Sequence, residues 1–204
     1  MKHVQDGLVI FLAVMGLLAT GASAAVHTWD GGGADNNWSS ADNWDAAGIP
    51  ASASNTTVRM ANNTRLAPVQ DIAAPFILNR LDYVRFASGS ASDTVLSPSG
   101  DPLRFVPNGT TPPRLWLDRW ADCNLYNDIE IPQGVTLLAE IGTWGLNLRG
   151  LISGEGGIDK LLNAGAIRLY HADNTFSGGL IVRAANSAWY HVSVHASGAM
   201  GTGP

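Results

Sequence analysis

Leu146-x-Leu148 followed by Leu151-Ile-Ser-Gly154 is echoed downstream, as Ile167-x-Leu169 and then as Thr175-Phe-Ser-Gly178. The echoes lie 21 and 24 residues on, and Val192, which opens Val192-x-Val194, lies 23 beyond Leu169. A unit of that length holds two or three very short strands with Gly or Asn at its corners. It cannot bury its apolar face alone, so units repeated at such an interval stack into a solenoid. Upstream the same alternation continues in Leu115-x-Leu117, Ile129-x-Ile131 and Val135-x-Leu137, and in Leu81, Tyr83 and Arg85 against Asp82, Val84 and Phe86. Period-two runs bounded by Gly, Asn, Asp and Pro are strands, and no window beyond the first 24 residues carries a helical stripe. Leucine-rich repeats have this length, but their Leu-x-x-Leu-x-Leu and Asn pattern is absent. A β-sandwich is the competing reading, although it gives Ser-Gly no reason to recur.

Composition agrees with an all-β chain. Lys2 and Lys160 are the only lysines, and Glu130, Glu140 and Glu155 the only glutamates among 204 residues, so the usual exposed side of a helix is missing. With 12 basic against 17 acidic side chains, a net charge of -5 and no basic run, nucleic acid is not an expected partner. The single Cys123 excludes an internal disulfide, and a buried thiol is preferred over an intermolecular one. Residues 1–24 combine Lys2, an apolar run from Leu8 to Leu18 and Ala22-Ser-Ala24, the pattern of a secretory signal peptide. The run is short of the ~20 residues that a membrane-spanning helix needs. An exported chain is expected, extracellular or at the outer cell surface, with no membrane span in its mature part.

Two stretches carry a family likeness. Leu151-Ile-Ser-Gly-Glu-Gly-Gly-Ile-Asp-Lys160, then Gly165-Ala-Ile-Arg-Leu169 and Asn174-Thr-Phe-Ser-Gly-Gly-Leu-Ile-Val182, resembles the repeat of the autotransporter-associated β-strand repeat proteins. Ala199-Met-Gly-Thr-Gly-Pro204 is similar to the segment that closes such a repeat, and Trp29 to Trp44 to an opening segment upstream of it. The resemblance implies a bacterial, adhesin-like passenger domain folded as a right-handed parallel β-helix. It also implies a piece of a longer protein, because the family's membrane barrel or sorting tail does not follow within this sequence.

The candidates for chemistry are few. Asp118, Asp122, Asp128 and Glu130 form the densest acidic group, and two close carboxylates can run glycoside hydrolysis. The plainer expectation pairs Asp118 and Asp122 with Arg114 and Arg119 and makes Asp128 a corner residue. His191 and His195 on a strand would stand about 13 Å apart, too far to share a metal. His27 and His171 are lone. Gly154-Glu-Gly-Gly-Ile-Asp159 lacks the spacing and lysine of a phosphate loop and reads as a coil corner. Asp30, Asp35, Asn37, Asp42 and Asp45 offer oxygens to Ca²⁺, but Asx turns explain them as well. Trp29, Trp38 and Trp44 can stack on sugar rings as glycan contacts, or can close the open apolar end of the first coil; the lid is preferred.

The expected organisation is therefore a signal peptide over 1–24, a Trp/Asn/Asp-rich cap over 25–57 and a β-helical region over 58–204. Catalytic, cofactor-binding and metal-binding residues are not assigned, and no cofactor is expected. The expected role is that of a non-enzymatic structural or adhesive module. The alternatives are a carbohydrate-active β-helix enzyme, a polysaccharide lyase or hydrolase, and a secreted glycan-binding module. Extracellular glycans and other surface proteins are the expected partners, together with self-association through an exposed C-terminal coil.

Overall fold

The computed structural model describes residues 22–62, 64–84, 95–142, 144–161, 164–183 and 191–203. Residues 1–21, most of the signal-peptide stretch, lie outside that set, as do Arg85, Phe86 and Pro204. The chain is a parallel β-solenoid of about 5 turns, with 41% of the described residues in strands and 2% in helix. Its strands are two to six residues long because each coil must turn several corners within some two dozen residues.

One sheet of seven strands runs the length of the stack: Ala25–Trp29, Thr56–Met60, Arg80–Val84, Arg114–Asp118, Thr136–Ile141, Gly157–Lys160 and Leu180–Val182. A second sheet holds Phe76–Leu78, Leu103–Phe105, Ile129–Glu130 and Ile152–Ser153. A third holds Cys123–Leu125, Gly145–Leu148, Ala166–Leu169 and Val192–Val194, and Val69–Gln70 pairs with Ser99–Gly100 beside them. All of these pairings are parallel, as they must be when equivalent strands one coil apart run the same way.

Register turns the alternation into ladders. Val58, Leu81, Leu115 and Ala139 form one inward row of the long sheet, and Trp29, Met60, Tyr83, Leu117 and Ile141 the next. In the third sheet Cys123, Leu146 and Ile167 stack, as do Leu125, Leu148 and Leu169, and all six are buried. The spacing of Leu146 to Ile167 read from sequence is the true register. That of Leu169 to Val192 is not: Leu169 pairs with Val194, and Val192 with Ile167. A slip of two residues keeps every side chain on the same face, so alternation alone cannot choose between the two. Val192 is half-buried and Val194 is 48% exposed, since no described strand stacks beyond theirs in that sheet.

Buried polar side chains tie coils together where strands stop. Asn174 is the clearest case: its Oδ1 accepts the Ile152 N–H at 2.8 Å and its Nδ2 donates to the Ala199 carbonyl at 2.7 Å, so one amide spans three coils. This explains the Asn of the Asn174-Thr-Phe-Ser-Gly-Gly run in physical terms, since both backbone groups are satisfied without a strand. Phe176 stacks on Ile152, the 24-residue echo seen in the sequence, through its N–H to the Ile152 carbonyl. Gly154 has φ of 99°, and a Cβ there would collide with the Ile131 carbonyl of the coil below. Residues 154–156 are thus a coil corner, as expected, whereas Gly157, Ile158 and Asp159, read with them as corner, already belong to the strand Gly157–Lys160 of the long sheet.

The solenoid begins earlier than residue 58. Ala25–Trp29 pairs in parallel with Thr56–Met60, and Asn37 bridges to Val69, so the Trp-rich segment is itself a coil. Its strand alternates over only five residues, too short to stand out beside the Gly and Asp around it. The chain then folds back: Trp44 makes an antiparallel bridge to Trp29, and Asp45 N–H donates to the Thr28 carbonyl. This covers part of the outer edge of the first strand, which would otherwise offer unpaired backbone groups.

Candidate functional site

Trp29, Trp38 and Trp44 are 0%, 1% and 5% exposed. Trp44 meets Trp29 and Trp38 edge-on, at ring-centre distances of 5.3 and 5.6 Å, and Trp38 meets Phe76 edge-on at 5.3 Å. The Trp44 Nε1 donates to the Trp38 carbonyl at 2.7 Å. The rings belong to the same core as Val58, with Ile72 packed against it, so they form a lid and present no face on which a sugar can stack. The glycan contacts expected from these three residues are corrected on that ground.

The loop around them is held by Asx turns. Asp30 Oδ1 accepts the Gly32 N–H, Asp45 Oδ1 the Ala47 N–H, and Asp35 Oδ1 the Asn37 N–H, while Asp35 Oδ2 takes the Ser40 hydroxyl. Asn43, fully buried, donates to the Asp35 and Asn37 carbonyls, and Asp42 lies exposed. Among the described residues no group of three or more His, Cys, Asp or Glu side chains is arranged to hold a metal. The Asn37 N–H and then the Ser40 hydroxyl keep the Asp35 carboxyl below its ordinary value of 3.8. A carboxylate with a depressed folded-state pKa stabilises the fold fully above its unfolded value and loses that contribution as pH falls through the folded one. Acidification below 3.8 is therefore expected to loosen residues 35–43 before the rest of the stack, read as loss of amide protection there.

The acidic group disperses around the coil. Asp118 ends a strand of the long sheet, Asp122 leads into the third sheet, Asp128 sits at a corner and Glu130 lies in the second sheet. Asp122 pairs with Arg168 at 3.0 Å, and Arg114 pairs with Glu140 at 2.9 Å and with Asp82 at 3.4 Å. Glu130 faces Arg104 at 3.6 Å, and Asp128 accepts the Leu151 N–H as a corner residue should. Arg114 and Asp122 find these partners on other coils because successive outward residues of a coil look in different directions, whereas residues stacked above and below them lie close in space.

Cys123 is buried, as expected, in the inward row of the third sheet. Burial pushes its thiol up to about 12, and the neighbouring Tyr83 hydroxyl draws it down only in part. Thiolate is the reactive form. The folded chain is expected to leave an aromatic disulfide reagent unreacted at pH 8 and to consume one equivalent once denatured.

The outer face of the third sheet gathers side chains that have no core role. Directly after each inward row come Tyr126, Arg149, Tyr170 and His195, stacked coil upon coil. The Arg149 guanidinium lies 4.2 Å from the Tyr170 ring centre and 5.6 Å from that of Tyr126, and Tyr170 stacks on His195 at 4.2 Å with 11° between planes. Beside this ladder Asn147 donates to Asn124 at 2.9 Å, and Arg168 donates to both Asn147 and Asp122 at 3.0 Å. Asp122 Oδ1 also accepts the Gly145 N–H at 2.7 Å. The Arg168 guanidinium lies directly across Gly145, where a Cβ would displace it.

Next to that network is an open hollow of about 390 Å³. Gly145, Ala164 and Ala166 contribute its small-residue lining, Asp122, Arg168 and His191 its polar groups, and Trp144 a ring 52% exposed. His191 and His195 flank the strand Val192–Val194, as the alternation requires, and His195 is engaged with Tyr170. His27 Nδ1 is bonded to the Gly48 carbonyl, and His171 Nδ1 accepts the Asp173 N–H. Sequence reasoning passed over Trp144, Arg149, Arg168 and Tyr170. Their signal was available: once the coils are aligned on their Leu-x-Leu rows, the outward column reads Tyr, Arg, Tyr, His. Comparison with protein-family models, with curated proteins and with solved structures returns no match.

Proposed function

We propose that the chain is a non-enzymatic β-helical passenger module, exported and displayed at a cell surface, with a structural or adhesive role. The observation that carries this reading is the dispersal of its charges. The ion pairs Asp82–Arg114–Glu140, Glu130–Arg104 and Asp159–Arg183 join neighbouring coils and Asp122–Arg168 reaches across two, and they lie on three different sheets. Hydrolysis of a glycosidic bond needs two carboxyl groups facing one another across the bond, roughly 5 to 9.5 Å apart, with one kept protonated. Here the carboxylate with the clearest upward push from burial is Asp82, and Arg80 and Arg59 face it on the long sheet. That arrangement suits a stitch between coils better than an acid catalyst. The likeness of the 151–182 run to passenger repeats points the same way.

The test is incubation of the chain from residue 25 onward with soluble neutral and acidic polysaccharides, following new reducing ends and unsaturated uronate products. No turnover above a heat-denatured control is the expected result. Turnover that disappears in Asp122→Asn or Glu130→Gln would establish an enzyme and overturn the proposal.

A further inference from the structure

We propose that the hollow beside Trp144 is a binding site for a neutral oligosaccharide, with one pyranose ring laid on the Trp144 indole. This deepens the adhesive reading above by naming a ligand class for it. Trp144 is the starting point. Its ring is 52% exposed, two residues before a fully buried Leu146, and it lines the hollow, so its free face is open to a ligand there. Its neighbours in the lining are small: Gly145, Ala164 and Ala166 leave the space open instead of packing under the indole. A volume of about 390 Å³ is within the usual range for small-molecule sites, which pair an apolar wall with a few fixed polar groups.

The polar groups select the ligand. Asp122 and Arg168 reach the same hollow as a joined pair, one accepting and one donating, and the pair as a whole is close to neutral. A vicinal diol donates and accepts through adjacent oxygens and matches that pair. A sulfate or carboxylate would meet Asp122. Both members are also held before any ligand arrives: Asp122 by the Gly145 N–H and Arg168 by Asn147, so binding does not have to order them. The C–H face of a pyranose ring then has the exposed indole to lie against, as apolar groups favour an aromatic face. The three tryptophans of the lid cannot serve in this way because their faces are buried.

The experiment uses the chain from residue 25 onward, titrated with cellohexaose, xylohexaose, mannohexaose and, as the anionic comparison, oligogalacturonate. Tryptophan fluorescence and calorimetry report binding. Saturable binding of at least one neutral hexaose is expected, weakened roughly tenfold or more in Trp144→Ala and partly retained in Trp144→Phe. The melting temperature of Trp144→Ala should stay within about 2 °C of the parent, because the ring is largely outside the core. Ala164→Leu, which fills the hollow and leaves Trp144 in place, should abolish binding too and so covers the case in which Trp144→Ala is poorly folded. Absence of binding by all three neutral hexaoses, preference for oligogalacturonate, or binding unchanged in both variants overturns the site. Cleavage of a bound hexaose is a separate outcome: it would refute the non-enzymatic reading while leaving the Trp144 site in place.

Discussion

Trp38→Ala is expected to destabilise the chain by about 3–5 kcal/mol, the usual cost of emptying a fully buried aromatic position. For a domain of this size that corresponds to a fall in melting temperature on the order of 10 °C. The reasoning rests on its place in the lid. Trp38 touches Trp44 and Phe76 edge-on, and its carbonyl takes the Trp44 Nε1, so the ring joins the folded-back segment to the second sheet. Solenoid stability is a sum over coils and the interfaces between neighbours, so the damage should be local. Hydrogen exchange should show faster opening over residues 25–60 and little change over 145–170. A uniform loss of protection along the whole stack, or a melting temperature unchanged within about 2 °C, would mean that the tryptophans do not close the first coil.

Arg119→Ala should be comparably costly. Arg119 is fully buried, and its Nη1 donates to the Asn62 carbonyl at 3.0 Å and to the Val84 carbonyl at 3.4 Å, both just past or at the end of a strand in the long sheet. Truncation removes a large side chain from a packed interior and takes the donor from the Asn62 carbonyl, at about 1–3 kcal/mol for a group left unsatisfied, with the longer Val84 contact adding little. A total of about 3–5 kcal/mol is expected. Arg119→Met separates the two contributions, because it keeps much of the packing and loses the donor. Its cost should be about 1–3 kcal/mol. If Met is as damaging as Ala, packing is the minor part; if Met is neutral, the hydrogen bonds to the strand ends contribute little.

The stacked coil was legible in the C-terminal half because Leu146, Leu148, Ile167 and Leu169 repeat a strong apolar alternation at near-constant spacing. Earlier coils were harder to read since strands such as Val69–Gln70 and Ser99–Gly100 are two residues long and carry no periodicity. Partnership was the least legible property. Asp122 finds Arg168 two coils away, and nothing local in the sequence marks that pair. The lid was half-legible: three Trp among Asp and Asn suggested either burial or sugar contact, and the Trp29–Trp44 bridge decides for burial. Lys160 resisted reading altogether. It occupies the inward row above Ala139, where an apolar residue is the default, with its Nζ donating to the Leu161 carbonyl and its ammonium made less basic by burial. The small Ala139 below it leaves room for the chain.

Coil length varies widely within one stack: Leu146 meets Ile167 across the shortest kind of connection, whereas Arg80 meets Arg114 across a much longer one. All of that difference is taken up between strands, and the pairing on either side keeps its register. Such a molecule tolerates genetic change very unevenly. Lengthening a corner, or duplicating or deleting a complete coil, leaves every ladder intact and moves whatever lies beyond by only about 4.8 Å. Loss of a single residue inside Gly145–Leu148 inverts one rung and turns Asn147 into the apolar inward row in place of Leu. Lineages carrying this architecture are thus expected to diverge by recombination between coils, with the strand interiors as the clock that runs slowest and the corners as the places where new specificity is tried.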